Sequence, residues 1–182
     1  MVHIRFFASV SPKTADSLMR VIDAKLKEGA ERFVILISSG GGNVFSGITL
    51  YNYLRGIPAQ VETHNFGSVD SVAVVLFCAG SKRFCVPHAR FLLHGIGFDV
   101  KKPTRFDEKI LDERLKGIRI DRQNIARVIA ENSSKSVEEV ERDMFTGITL
   151  NPEQAKEYGL VHEIRSELFE KGAEVITIGD QK

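Results

Sequence analysis

Cysteine is scarce in this sequence of 182 residues, and its scarcity excludes several classes of protein. The two cysteines, Cys78 and Cys85, both lie among apolar neighbours. A disulfide-stapled domain or a thiolate metal centre needs more cysteines than these two. We therefore expect two buried free thiols in a reducing cytoplasm, with no metal and no cofactor.

Long apolar runs and blocks of like charge are also missing. The longest apolar run, Val72 to Gly80, has about half of the roughly 18 residues that a helix needs to cross a bilayer. The segment from Met1 to Val10 lacks the basic stretch and long apolar stretch of a secretion signal. The formal net charge is +1, so we expect neither nucleic acid nor a membrane as partner and predict a cytoplasmic protein.

The remaining composition, 43% hydrophobic and 27% charged residues, is that of a single globular domain spanning residues 1–182. Short apolar or β-branched runs alternate with helical spacing, which predicts an α/β fold with parallel strands. The predicted strands are Ile4–Val10, Phe33–Ile37, Gln60–His64, Arg83–Val86, Phe91–Leu93 and Val161–Ile164. The first predicted helix runs from Ser11-Pro12 to Gly29, and two more cover Val44–Arg55 and Ser71–Ala79. Two further helices are predicted to begin at Ser136 and at Asn151-Pro152. The segment Asn65–Ser68 is predicted to be a loop.

A long charged helix is predicted over Phe106–Glu131, and we place its end near residue 132. Much of its length is too polar for a core helix. A helix that projects from the domain to contact another subunit explains this pattern, and an amphipathic surface helix explains it equally well.

Three short features could carry chemistry. Ser39-Gly40-Gly41-Gly42 follows a buried strand, and successive glycines let backbone N–H groups approach an oxyanion or a phosphate. A simple tight turn accounts for the same residues, and the absence of a following Gly-Lys-Ser/Thr excludes a P-loop.

The other two features are Ser71 and His94. A serine at the start of an apolar helix can use the helix N–H groups to stabilise charge, although a capping role is the common alternative and Ser68 and Asp70 compete for it. His94 ends an apolar strand and precedes Gly95, so it could act as a base or be a hydrogen-bonded structural histidine.

Taken together, these features resemble the Clp protease proteolytic subunit (ClpP) family. Four blocks carry the resemblance in the same order and at similar spacing, from about Ile35 to Ile164: Ile37–Gly47 (ISSGGGNVFSG), Gly67–Ser71, Lys82–His94 (KRFCVPHARFLLH) and Glu157–Val161 (EYGLV). The resemblance implies a ClpP/crotonase-like α/β fold, with a repeated β-β-α superhelical core and a projecting helix in the C-terminal half.

The resemblance also implies roles for particular residues. Ser71 would be the nucleophile and His94 its base, as in other serine peptidases. The N–H groups of Gly42 and Val72 would form the oxyanion hole. A peptide substrate would lie as an added strand beside the segments after Gly41 and His94, which contain Asn43 and Gly95.

Family members form rings, usually two stacked heptamers around a chamber that receives peptides or unfolded polypeptides. The helix Phe106–Glu131 falls where the family has its ring-to-ring contact, which favours a subunit interface. Family subunits carry more residues ahead of the first strand than this sequence does. We therefore do not carry over docking to a Clp-type ATPase.

The sequence departs from the family at the acid of the catalytic triad. An ungapped match from Ser136 to Val161 puts Gly147 in the place of the aspartate, whereas a small gap brings Asp143 there. We assign Asp143 as the third member, with Asp70, Thr146 and Thr149 as other groups that could contact His94. Asp70 also adds a negative charge beside Ser71, which is unfavourable for an oxyanion unless its side chain turns away.

Two other functions compete with a ring-forming serine peptidase. A catalytically inactive ClpP-like ring or binding subunit would keep Ser71 and His94 without the acid. A crotonase-type acyl-CoA enzyme has the same broad fold and also uses paired N–H groups, but the sequence has no match to a CoA-binding region.

Overall fold

The computed structural model describes residues 1–97 and 105–180, and its strands form one branched sheet with helices packed against it. The predicted single domain of residues 1–182 includes 98–104 and 181–182, which lie outside the described residues. The strands are β1 (Val2–Phe7), β2 (Arg32–Ser39), β3 (Gln60–Asp70), β4 (Lys82–Cys85), β5 (Arg90–Leu93), β6 (Ile148–Leu150), β7 (Glu163–Ile164) and β8 (Val175–Gly179). The helices are α1 (Pro12–Lys27), α2 (Val44–Gly56), α3 (Ala73–Cys78), α4 (Glu108–Glu131), α5 (Val137–Thr146) and α6 (Pro152–Glu157).

The sheet has the strand order β6-β5-β3-β2-β1-β8, with β4 paired to β3 and β7 paired to β4. Its ladders are parallel except that between β5 and β6. The predicted α/β fold with parallel strands is therefore confirmed. β2 lies inside the sheet, and its residues from Phe33 to Ile37 are buried on both faces, as the continuous apolar run predicts.

β3 is longer than predicted and divides its pairing between two neighbours. Glu62 to Asn65 pair with β4, whereas Ser68 to Asp70 pair with β5. The predicted end at His64 and the predicted loop Asn65–Ser68 are wrong, because the strand continues through a bulge. β2 pairs Ile37 with Asn65 but Ser39 with Val69, so β3 carries extra residues at this point.

The helix ends largely follow the sequence. Ser11 and Ser136 cap α1 and α5 as predicted, and Ser136 forms a capping box with Glu139. Asn151 caps α6 in the same way. The short strands β6 and β8 are not among the predicted elements, because three and five residues give little periodicity.

Helix α4 begins at Glu108 with Asp107 as its cap, slightly later than predicted. Its C-terminal half is anchored in the core by Ile125, Ala126 and Ile129, the buried residues of the helix. The part of the helix before Asp121 instead exposes apolar side chains to the surroundings: Ile110, Leu111, Leu115 and Ile120. This division agrees with a helix that projects from the domain, and contact with another subunit stays a prediction.

Cys78 and Cys85 are both buried and free. Burial raises the pKa of the Cys78 thiol to about 12 and that of Cys85 to about 11, so both stay protonated and unreactive at neutral pH. Over residues 1–97 and 105–180, no helix has the length and apolar character to cross a bilayer. The same residues contain no group of three His, Cys, Asp or Glu side chains suited to a metal ion.

Arg83 of β4 joins three parts of the chain that are distant in sequence. Its side chain is buried and donates to the carbonyl oxygens of Leu160 at 2.7 Å, Asn132 at 2.9 Å and Gly80 at 3.1 Å. Hydrogen bonds from a charged group to buried carbonyls are among the stronger ones in proteins. Arg83 therefore fixes the end of α4 and the segment after α6 against the sheet.

We expect Arg83→Ala to lower the free energy of unfolding by about 3 kcal/mol, because buried carbonyl oxygens lose their donor. Urea denaturation followed by circular dichroism measures the change. Arg20→Ala is the matched control, since Arg20 is 79% exposed and pairs with Asp16 on the surface of α1. Its effect should stay below about 1 kcal/mol. Equal losses in the two variants would contradict this account of Arg83.

Candidate active site

The site is assembled at one edge of the sheet, where three neighbouring parallel strands end. β3 lies between β2 and β5, so the carboxyl ends of all three meet at this edge. The glycine loop follows β2, Ser71 follows β3 and His94 follows β5. Features separated by more than fifty residues in sequence thereby come together.

Ser71 stands at a sharp turn between β3 and α3. Its φ is 58°, the only positive φ of a non-glycine residue among those described, and its N–H donates to Leu92 O at 2.8 Å. A left-handed conformation costs a non-glycine residue about 1–3 kcal/mol and is tolerated where the surroundings hold it. The predicted helix start at Ser71 is wrong: α3 begins at Ala73 with Val72 as its cap, and no side chain caps it.

Two glycines allow neighbouring backbone to approach this turn closely. A Cβ at Gly41, where φ is 88°, would lie 2.7 Å from Ser71 Cβ and 2.8 Å from Asp70 O. A Cβ at Gly47 of α2 would lie 2.3 Å from Cγ2 of Val72. Both distances are too short for a real contact, so any larger residue would displace the turn that carries Ser71.

Gly42 and Val72 present unused N–H groups at this edge. Val10 N–H donates to Gly41 O and Asn43 N–H donates to Val10 O, both at 2.7 Å, so the two bonds bracket Gly42. Among the described residues, the N–H groups of Gly42 and Val72 have no acceptor. Free, fixed donors of this kind suit a developing oxyanion.

His94 shares a cleft with Ser71. The cleft has a volume of about 130 Å³, and its walls are Gly42, Val44, Ser71, Val72, Leu93, His94, Gly95, Ile96, Gly97, Ile125, Ile129 and Met144. The His94 side chain is exposed, and the described residues provide no hydrogen-bond partner for its ring. The structure thus brings together Ser71, His94, Gly42, Val72 and Gly95 around one space.

Two further predicted residues lie beside the cleft rather than in its walls. Gly41 packs against Ser71 as described above. Asn43 is the cap of α2, and its Oδ1 accepts hydrogen bonds from Ser46 N–H and Ser46 Oγ–H, each at 2.9 Å. The Asn43 side chain is therefore committed to the helix, which leaves its backbone for any contact with a substrate.

Asp70 turns away from the nucleophile. Its Oδ2 lies 2.7 Å from Nη2 of Arg90, and its Oδ1 accepts a hydrogen bond from Ser68 Oγ at 2.7 Å. Arg90 Nε also donates to Ser68 Oγ at 3.0 Å, which closes a small network. The negative charge beside Ser71 is thus paired with a guanidinium, and Asp70 is not a partner of His94.

Asp143 contacts a different residue from the one predicted. It lies on α5, and its Oδ2 accepts a hydrogen bond from Tyr158 OH at 2.8 Å. Burial, and then this carboxylate, raise the pKa of Tyr158. The residue after Asp143, Met144, lines the cleft, but Asp143 does not.

Gly147 immediately precedes β6, next to the end of the β5–β6 ladder. The last antiparallel pair of that ladder is Leu93 with Ile148, so His94 and Gly147 are the residues that flank it. Gly147 ends α5 with φ 77°. Thr149 pairs with Leu92, and no contact from Thr146 or Thr149 to the His94 ring is found in the described part of the chain.

Three contributions to the site escaped the sequence analysis. Val10 holds the glycine loop through backbone bonds, Arg90 neutralises Asp70, and Ile125 and Ile129 reach the cleft from α4. Backbone bonds leave no trace in residue type. The Asp70–Arg90 pair becomes visible only when β3 and β5 are known to be neighbours.

Comparisons with known proteins agree with this geometry. The sequence model of the family described as Clp protease matches residues 2–167. An ATP-dependent Clp protease proteolytic subunit from Paracoccus denitrificans is 30% identical over 161 residues, which cover 85% of this chain and 77% of the relative. Subunit 1 of Streptomyces avermitilis is 35% identical over 136 residues, and subunit 2 of Corynebacterium efficiens is 31% identical over the same length.

Coverage differs among these relatives. The matches span 71% of this chain but only 59% of the Streptomyces subunit and 64% of the Corynebacterium subunit. Among solved structures, a point mutant of ClpP1 from Listeria monocytogenes superposes with a TM-score of 0.82 over 91% of each chain, at 24% identity, which supports the fold. The predicted resemblance is confirmed, and this chain belongs to the Clp protease family as a ClpP-like serine peptidase.

Proposed function

We propose that this chain hydrolyses peptide bonds through an acyl-enzyme, with Ser71 as nucleophile and His94 as general base. One observation carries the proposal. Ser71, in its strained turn, lines the same cleft as His94 and as the two residues with free N–H groups, Gly42 and Val72. This combination suits acyl transfer better than phosphate binding, because a hydroxyl and an imidazole accompany the N–H donors.

The proposed reaction has two halves. Ser71 Oγ attacks the peptide carbonyl carbon while His94 takes the hydroxyl proton, and the oxyanion receives hydrogen bonds from Gly42 and Val72 N–H. The tetrahedral intermediate then breaks its C–N bond, and His94 returns the proton to the leaving amine. Water, deprotonated by His94, then attacks the resulting ester. As the C–O bond to Ser71 breaks and the acid leaves, His94 returns the proton to Ser71 Oγ.

The substrate is proposed to be an extended peptide or unfolded polypeptide. Its backbone would lie as an added strand beside the segments that contain Gly41 and Asn43 on one side and Gly95 on the other. The apolar cleft walls supplied by Ile125, Ile129 and Met144 would receive an apolar side chain next to the scissile bond.

Asp143 is proposed as the third member of the triad. It is adjacent in sequence to Met144, a wall of the cleft, and its Oδ1 accepts no hydrogen bond from the described residues. A movement of α5 that turns this oxygen toward His94 would complete a Ser–His–Asp arrangement. The hydrogen bond from Tyr158 to Oδ2 would then hold the Asp143 carboxylate in place while Oδ1 contacts His94.

Assembly and location are part of the proposal. The exposed apolar residues on the first half of α4 support a homo-oligomer, with stacked rings as in the family. The relatives from Paracoccus and Streptomyces are named ATP-dependent proteases, so a Clp-type ATPase is the partner to test first. Buried free thiols at Cys78 and Cys85 fit a reducing cytoplasm.

One observation favours a second candidate, a catalytically inactive ClpP-like binding subunit. The cleft walls contain no carboxylate among the described residues, and Asp143 is bonded to Tyr158. A Ser–His pair without an acid reacts far more slowly than a triad. The family assignment favours either of these candidates over an acyl-CoA enzyme.

The first test is intact-mass labelling by a fluorophosphonate near neutral pH. We expect one adduct on the wild-type chain and none on Ser71→Ala, because only an activated serine attacks the phosphorus. Size-exclusion chromatography of both proteins verifies that they assemble alike. An assembled wild type that stays unlabelled would contradict the peptidase proposal and support the inactive binding subunit.

A second test compares Asp143→Asn, which removes the carboxylate charge but keeps an oxygen acceptor for Tyr158, with Tyr158→Phe, which removes the hydrogen bond itself. If Asp143 orients His94, Asp143→Asn should lower kcat for a peptide substrate by about 10³-fold or more, whereas Tyr158→Phe should lower it by less than about tenfold. Equal, small losses in the two variants would mean that Asp143 serves only to anchor Tyr158, and Ser71 and His94 would then work as a dyad.

A third test concerns the contact between α2 and the nucleophile turn. Gly47→Ala should lower the labelling rate by about tenfold or more, because the added methyl pushes Val72, a proposed oxyanion donor, out of position. Gly56→Ala on the same helix is the matched control, since nothing lies within 4 Å of its added Cβ. Both variants should favour helix formation. A labelling rate that is unchanged in Gly47→Ala would refute the proposed dependence on Val72.

A further inference from the structure

The C-terminal strand β8 lies outside the part of the chain that defines the family. The family match ends at residue 167, whereas β8 spans Val175–Gly179. β8 pairs with β1 in parallel, from His3 with Val175 to Phe7 with Gly179. It is the outermost strand on that side of the sheet.

Asp180, the residue after β8, contacts Ser9 beyond the end of the β1–β8 ladder. The Ser9 N–H lies 3.2 Å from Oδ1 and 3.1 Å from Oδ2 of Asp180, and Ser9 Oγ lies 3.4 Å from Oδ2. β1 itself ends at Phe7, so Ser9 has passed the regular ladder. A carboxylate thus replaces the missing strand partner for the amide of Ser9.

The residue after Ser9 is the one that fixes the proposed oxyanion loop. Val10 is buried, and its N–H and C=O groups bond on either side of Gly42. A Cβ at Gly42, where φ is 144°, would fall 2.2 Å from Val10 O, so the two backbones are in direct contact. The direction of the Gly42 N–H group therefore follows the position of Val10.

Ser9 is held from two sides. Asp180 accepts from its N–H, and Thr14 Oγ1 donates to its carbonyl oxygen at 2.7 Å. Thr14 is also a member of the capping box of α1, so this contact ties Ser9 to that helix. Loss of Asp180 would remove the contact between β8 and Ser9, and leave Ser9 bonded to Thr14 and Val10 bonded only to the glycine loop.

We infer that Asp180 is a positioning residue for the oxyanion hole. It acts through Ser9 and Val10 on the N–H group of Gly42, and the inference rests on the proposed function of that group. An oxyanion donor contributes in the transition state and little in the bound substrate. Asp180 should therefore affect kcat and the rate of labelling, with little effect on KM.

The test compares Asp180→Ala, Asp180→Asn and Thr177→Ala with the wild type in the full chain. Thr177 is the matched control, because its Oγ1 accepts a hydrogen bond from Arg5 at 3.0 Å, again between β8 and β1 but away from Ser9. Peptide hydrolysis and fluorophosphonate labelling are measured together with thermal unfolding. Hydrogen exchange is followed in the peptides that contain Val10 and Gly42.

We expect Asp180→Ala to lower kcat and the labelling rate by about three- to tenfold with KM unchanged, a modest effect because water competes for this exposed contact. Asp180→Asn, which keeps an oxygen acceptor, should recover much of that loss, and Thr177→Ala should match the wild type. Exchange should rise around Val10 and Gly42 only in the Asp180 variants. If Asp180→Ala fails to fold, the test rests on Asp180→Asn, which should show a smaller decrease in kcat and labelling rate and a smaller increase in exchange around Val10 and Gly42.

Two results would overturn the inference: equal effects of Asp180→Ala and Thr177→Ala on kcat, or unchanged exchange around Val10 and Gly42 in the Asp180 variants. Failure of the proposed function has a different outcome, namely an unlabelled wild type. Even if the wild type is not labelled, hydrogen exchange shows whether Asp180 holds Val10 and Gly42 in place, because that measurement needs no catalytic activity.

Discussion

The parallel pairing of β3 with β2 on one side and with β5 on the other is the constraint on which the site depends. It brings the ends of three strands to one edge: Gly42 follows β2, Ser71 and Val72 follow β3, and His94 follows β5. The bulge in β3 makes this possible, because it lets one strand pair with β4 first and with β5 afterwards. A regular β3 would not present its last residues to β5 in this register.

Most of the chemistry at this edge is arranged by backbone rather than by side chains. The proposed oxyanion donors are main-chain N–H groups, and Val10 holds the loop through main-chain bonds. Gly41 and Gly47 contribute by having no side chain at points of close approach. The one strong charge beside the nucleophile, Asp70, is neutralised by Arg90 on the neighbouring strand and faces away.

The sequence predicts those parts of the structure that depend on local chemistry. The apolar run at Phe33–Ile37 and the caps Ser11 and Ser136 have local causes and could be predicted from residue type, whereas the position of the site followed from the resemblance to a family. The strained turn at Ser71 and the bulge at Asn65–Ser68 depend on strand pairing, so they could not be predicted from the sequence alone. The acid is ambiguous for a related reason: a gap of a few residues decides between Gly147 and Asp143, and sequence spacing does not reveal which one faces His94.

Helix α4 has one end in the core and the other in the surroundings. With 24 residues it is about 36 Å long, and a helix of this length behaves as a stiff rod. Its inner end supplies Ile125 and Ile129 to the wall of the cleft, while its outer end exposes Leu111 and Leu115. Because the helix is stiff, a contact that tilts its outer end also shifts Ile125 and Ile129, and so changes the shape of the cleft beside Ser71. A substitution that strengthens a contact at the outer end therefore also has to preserve side-chain packing at the inner end.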